Sequence, residues 1–120
     1  MNPVTTTLVD DVVVATLEVD VDIANTELIG SSVLGAVPNH AIGLVLDLTK
    51  VRYLDSAGIR MLFMIIRELD ACRQRASVLL EDESPVRKLL KITNVDEVVY
   101  VCSSLDDCVR GLHEGRTGGL

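Results

Sequence analysis

Ser56 is the residue of this 120-residue chain whose type and setting most suggest chemistry. It lies in Asp55-Ser56-Ala57-Gly58, after the apolar run Ile42–Leu48 and the spacer Lys50-Val51-Arg52-Tyr53-Leu54, and a long apolar segment follows it. A polar turn between a buried strand and a helix start carries unpaired backbone N–H groups and a partial positive charge. Three roles fit such a serine. Asp and Ser cap helices by accepting backbone N–H bonds. A serine can also be a nucleophile, and Ser56-Ala57-Gly58 matches the second half of the G-x-S-x-G elbow of hydrolases, but Leu54 stands where the first glycine belongs. A triad further needs a base and an orienting acid, and the only histidines are His40, ahead of the apolar strand, and His113, near the chain's end. The third role is phosphoacceptor: an exposed hydroxyl is open to a kinase, and the phosphate adds about −1.5 to −2 charge. The sequence therefore predicts a modified serine in a protein that is not an enzyme.

The elements that must position this turn can be read from periodicity. Thr5–Val9 and Val12–Val19, broken by Asp10-Asp11, read as an antiparallel hairpin. Ile23, Leu28, Ile29, Val33 and Val37 fall near helical spacing and predict a first helix of about three to four turns, stopped by Pro38-Asn39. Ile42–Leu48 is apolar without alternation, the pattern of a central strand covered on both faces. Apolar residues at 59, 62, 63, 66 and 69 predict a long amphipathic helix over Ala57–Cys72, with Met61, Met64 and Ile65 off that stripe. Those three either pack under a neighbouring helix or form an adaptable contact patch beside Ser56. Ser77–Leu80 reads as a strand, Ser84-Pro85 as a capped helix start, and Asn94 as that helix's left-handed stop. Val98–Cys102 and Ser104–His113 predict a last strand and helix, with Asp106 and Asp107 in the first turn, and Gly115–Leu120 reads as a frayed tail. The expected fold class is α/β, a mostly parallel central sheet with an N-terminal antiparallel hairpin and about four helices. Its carboxyl edge gathers Asp20–Ile23, Tyr53–Gly58 and Glu81–Pro85, where ligands and partners of such sheets bind.

Composition narrows the partners. The chain is 48% hydrophobic, enough for one domain with its own core, expected over residues 5–113 with a tail at 114–120. A net charge of −7 repels nucleic acid and anionic membrane, and an aromatic content of 2% leaves little to stack on bases. The opening Met1–Thr7 has no signal-peptide pattern and no apolar run reaches the roughly 18 residues of a membrane span, so a cytoplasmic location is expected. Cys72, Cys102 and Cys108 sit in apolar patterns and are expected to be reduced and buried.

Taken together, these motifs resemble the bacterial anti-sigma-factor antagonists of the STAS domain family, from about Val12 to Gly111. The resemblance is carried by the apolar strand, the spacer and Asp55-Ser56-Ala57-Gly58-Ile59 in register, with support from Ser84-Pro85-Val86-Arg87-Lys88-Leu89-Leu90. Asp20-Val21-Asp22-Ile23-Ala24-Asn25 is similar to the family's stretch after the second strand, and Asp22 falls on the aspartate near the family's phosphorylation site. Val19 and Asn94 stand where the family usually has glycine. The resemblance implies partner switching, with Ser56 as the phosphorylated residue. The unphosphorylated protein would bind an anti-sigma factor with serine kinase activity through Asp22, Asn25, Asp55, Ser56, Ala57, Gly58, Met61 and Met64; phosphorylation would release it, and a metal-dependent serine phosphatase would reset it. It also implies no cofactor or metal, and a monomer or weak dimer. The alternative is an unphosphorylated STAS scaffold or interaction module in a stress-sensing assembly; the transporter version of the domain would need a membrane segment from another chain.

Overall fold

The structure is a computed structural model that describes residues 3–115, so the tail expected beyond Gly115 lies outside the described residues. The hairpin forms as β1 (Val4–Val9) and β2 (Val12–Leu17). Its turn residues Asp10 and Asp11 both take positive φ, 50° and 65°, as a two-residue type I′ connection requires. Then follow α1 (Thr26–Gly35), β3 (Gly43–Asp47), α2 (Ser56–Ala71), β4 (Arg75–Leu79), α3 (Pro85–Ile92), β5 (Tyr100–Cys102) and α4 (Leu105–His113). The sheet order is β1-β2-β3-β4-β5; only the first pair is antiparallel, and β3 is central.

Strand alternation divides the core between two faces. Val13, Ala15, Leu17, Leu44, Leu46, Ala76 and Val78 point to one side, where α1, α2 and α3 bury Ile29, Val33, Leu62, Ile65, Val86 and Leu90. Val12, Val14, Val45 and Leu79 point to the other and meet Cys108, Val109 and Leu112 of α4. Because β2, β3 and β4 each feed a helix on one face, while β5 feeds α4 on the other, the carboxyl ends of β2 and β3 open together, and Ser56 sits at that edge.

Several boundaries differ from the expected ones, each for a local reason. Helix α1 begins at Thr26 and has ten residues, so Ile23 lies outside it, and both Ile23 and Leu28 are exposed. Hydrogen bonds from the Asp22 and Asn25 side chains hold the preceding loop out of helical geometry. The buried stripe of α2 is Gly58, Met61, Leu62, Ile65 and Leu69, one position away from the expected phase, and Ile59, Phe63 and Ile66 lie on its flank. Strand β5 is three residues long, because Asn94 takes φ 64° and starts a 3₁₀ turn, Val95–Glu97, ahead of it. Cys102 and Cys108 are buried as expected, but the cysteines otherwise differ from expectation. Cys72 is exposed, and Cys102 and Cys108 are disulfide-bonded with Cα atoms 5.7 Å apart, because the second turn of α4 returns over the end of β5.

Gly43 shows how tightly the centre is built. A Cβ there would lie 2.3 Å from the Arg75 carbonyl oxygen on the paired strand, which cannot retreat without breaking the ladder. Gly43→Ala is expected to cost about 2–3 kcal/mol in urea unfolding, whereas Gly35→Ala, which meets nothing within 4 Å, should stay within about 0.5 kcal/mol of the parent.

Candidate functional site

Two loops that are more than thirty residues apart in sequence are zipped together at the sheet's carboxyl edge. Val21 and Leu54 form a parallel bridge: the Val21 N–H donates to the Tyr53 carbonyl (3.1 Å) and the Asp55 N–H to the Val21 carbonyl (3.2 Å). Side chains complete the join. Asp20 Oδ1 accepts from the Arg52 N–H at 2.8 Å, and Asn25 Nδ2 donates to the Asp20 carbonyl at 2.9 Å. Asn25 Oδ1 accepts from the Asp22 N–H (3.0 Å), and Asp22 Oδ1 from the Ala24 N–H (2.9 Å).

Asp55 is the centre of this arrangement. As the N-cap of α2 its Oδ1 accepts from the Gly58 N–H at 2.9 Å, while its Oδ2 accepts from the Ile23 N–H of the other loop at 3.1 Å. One carboxylate thus serves a helix end and a loop at once. Gly58 must be small here, since a Cβ would approach Leu54 Cδ2 and Val21 Cγ1 to 3.2 Å, pressing on the two bridged residues.

Ser56 is the first residue of α2 and is exposed. Its neighbour Asp55 does the capping, and no hydrogen bond engages the Ser56 hydroxyl among the described residues. The expected contact residues are arranged unevenly around it. Asp22 is exposed and Asn25 and Asp55 are half-buried in the joined loops, whereas Ala57 and Gly58 are buried and present mainly backbone. Met61 is 4% exposed and packs mainly in the core, reaching the surface only as part of the lining of the depression between α1 and α2; Ile65 is fully buried. Met64 is half-buried and lies against Gly30 of α1.

The sequence analysis places Met61 and Met64 beside the serine but misses the two exposed apolar residues that frame it, Ile23 and Tyr53. Ile23 is 75% exposed and Tyr53 57%, and Ile23, Thr26, Glu27, Ala57, Arg60, Met61 and Met64 line a shallow depression between α1 and α2. Helical spacing places Ile23 on a helix stripe, and the sequence signal against that is its position between Asp22 and Asn25, two loop-forming residues. The histidines lie elsewhere. His40 is in the loop that leads into β3, and His113 Nε2 is 2.8 Å from the Asp10 carbonyl at the hairpin turn, both at the sheet's opposite edge from Ser56. The geometry assembles no Ser-His pair. Among the described residues no group of three or more His, Cys, Asp or Glu is placed to hold a metal, and no helix is long and apolar enough to cross a membrane.

Comparison with known proteins places this fold. The STAS domain family matches residues 3–108, and the chain belongs to that family. An anti-sigma factor antagonist from Mycobacterium paratuberculosis superposes with a TM-score of 0.80 at 20% identity, covering 92% of each chain. The anti-sigma factor antagonist SpoIIAA in its unphosphorylated form gives 0.71 at 19% identity, covering 96% of this chain and 99% of that one. A part of the murine anion transporter Slc26a9 has a similar fold, with a TM-score of 0.78 at 16% identity, covering 95% of this chain but 22% of that one. These likenesses are of fold. No curated protein sequence matches the chain.

Replacing Asp55 by Ala removes a helix cap and the loop tie together. The expected loss is about 2 kcal/mol in urea unfolding, with the Ile23 and Gly58 amides losing hydrogen-exchange protection ahead of the core. Asp55→Asn, which keeps one acceptor oxygen, should lose less.

Proposed function

We propose that this STAS domain is an anti-sigma-factor antagonist whose binding is switched at Ser56. Unphosphorylated, it binds an anti-sigma factor that is also a serine kinase and so frees a sigma factor; phosphorylation of Ser56 releases it, and a metal-dependent phosphatase restores it. The observation that carries this reading is the exposed, unengaged Ser56 hydroxyl on a helix start that a neighbouring carboxylate already caps. Family membership and the antagonist neighbours support it.

The physics of release follows from the surroundings. A phosphate on Ser56 is attracted by the N-terminal end of α2 and repelled by Asp55 and Asp22, so the opposed effects require no large internal rearrangement. The cost falls on the partner. An interface closed over Ile23, Tyr53 and Ser56 would bury a new, unpaired dianion, and several kcal/mol of that penalty dissociates a micromolar to nanomolar complex.

The test is titration of the cognate anti-sigma kinase with ATP present and absent. Wild type should bind and lose affinity at least about tenfold on phosphorylation. Ser56→Ala should bind without being released, and Ser56→Asp should bind weakly from the start. Binding that is identical for all three and unchanged by ATP would instead make the domain a constitutive interaction module.

A further inference from the structure

The sheet ends in two unequal edges. On one side β5 is three residues long, and so short a strand offers little for another chain to pair with. On the other side β1 runs six residues, Val4–Val9, in unbroken register with β2. Edges of this length are ordinarily blunted by a charged side chain, a proline, a bulge or a covering strand; β1 contains none of the first three, and no strand lies beside its outer edge among the described residues. Valine and threonine favour extended chain, and Thr5, Thr6, Thr7 and Leu8 are all exposed, Leu8 to 60%.

The register decides which main-chain groups of this edge are unused. The two-residue turn closes on the bonded pair Val9 and Val12, and beyond the other end of the strand the Glu18 N–H donates to the Pro3 carbonyl at 2.8 Å. Bonded and non-bonded pairs alternate along an antiparallel ladder, so Thr5, Thr7 and Val9 turn their main-chain groups toward β2, while Thr6 and Leu8 turn theirs away from it. Thr6 and Leu8 therefore each present a donor and an acceptor that no described residue engages. Such an alternation along an extended edge is complementary to another extended strand.

We propose that β1 pairs antiparallel with β1 of a second copy of this chain, about a two-fold axis through Thr7, so that two five-stranded sheets become one. In that register Thr6 of each copy exchanges both main-chain bonds with Leu8 of the other. Thr7 stands directly opposite its own image in a non-bonded pair, where side chains approach closest. The two Leu8 side chains become diagonal neighbours on the face that carries α1, α2 and α3, within reach of one another. Charge favours a copy as the occupant: the chain carries a net charge of −7, yet none of it falls on β1. Antiparallel pairing also sends the two Asp10-Asp11 turns to opposite ends, about 20 Å apart and beyond the screening length at physiological salt. The contact is small, which places it among weak, concentration-dependent interfaces. It leaves out Ser56, which follows β3, two strands further in.

The experiment is sedimentation equilibrium of the full-length protein from about 10 µM to about 1 mM at physiological salt, with amide hydrogen exchange measured at both ends of that range. The average mass should rise from one chain toward two, with a dissociation constant of about 0.1–1 mM. Over the same range exchange at the Thr6 and Leu8 amides should slow by about two- to fivefold, as the fraction of paired chains requires, while the Thr5 and Thr7 amides, already bonded to β2, stay as they are. Thr7→Lys and Thr7→Glu each set like charges face to face and should weaken association at least about tenfold, and an equimolar mixture of the two should restore it. Thr6→Pro removes an outward N–H without touching the ladder to β2 and should abolish the rise in mass; if that variant does not fold, the Thr7 pair still decides. Ser56→Ala should associate like wild type, so failure here is distinguishable from failure of the switch. A single-chain mass up to the highest concentration overturns the proposal, as does association that survives Thr7→Lys, a mixture that does not recover, or protection that appears at Ile23 and Tyr53 in place of Thr6 and Leu8.

Discussion

The geometry around Ser56 depends on a single carboxylate. Asp55 receives one N–H from its own helix and one from a loop thirty-two residues earlier, and both bonds are near ideal length. Each is a charge-assisted bond to a backbone group, roughly twice as strong as its neutral counterpart. Together with the Val21–Leu54 bridge they make two loops behave as one continuation of the sheet. Without that tie Ser56 would still start a helix, but the surface around it would have no fixed shape.

The fold was largely legible because its strongest signals are local. Ile42–Leu48 could only be a strand covered twice, and β3 is the middle strand with both faces buried. Ser84 and Pro85 declared the start of α3, and Asn94 the left-handed residue after it. Where apolar residues surround a helix, periodicity says that it is buried but not which way it is turned. That is why the stripe of α2 was read one position out, and why Met61 was left between core and surface.

What could not be read was long-range. Hydrogen bonds from Asp20, Asp22 and Asn25 leave no periodic trace, yet they decide where α1 begins and leave Ile23 in water. The pairing of Cys102 with Cys108 likewise depends on the return angle of α4, which spacing alone does not encode. The candidate site was legible to the extent that Asp55 and Ser56 announce a helix start and the sheet topology brings Asp20–Ile23 to the same edge; the hydrogen bonds that join the two loops were not.

The joined loops hold one another almost wholly through main-chain groups and two carboxylate side chains, Asp20 and Asp55, leaving the outward faces of Ile23 and Tyr53 without structural duty. The atoms that fold this edge are thus not the ones it exposes. Those two outward side chains can be exchanged while the hydrogen-bonded scaffold beneath them stays intact, because no bond that joins the loops runs through either of them.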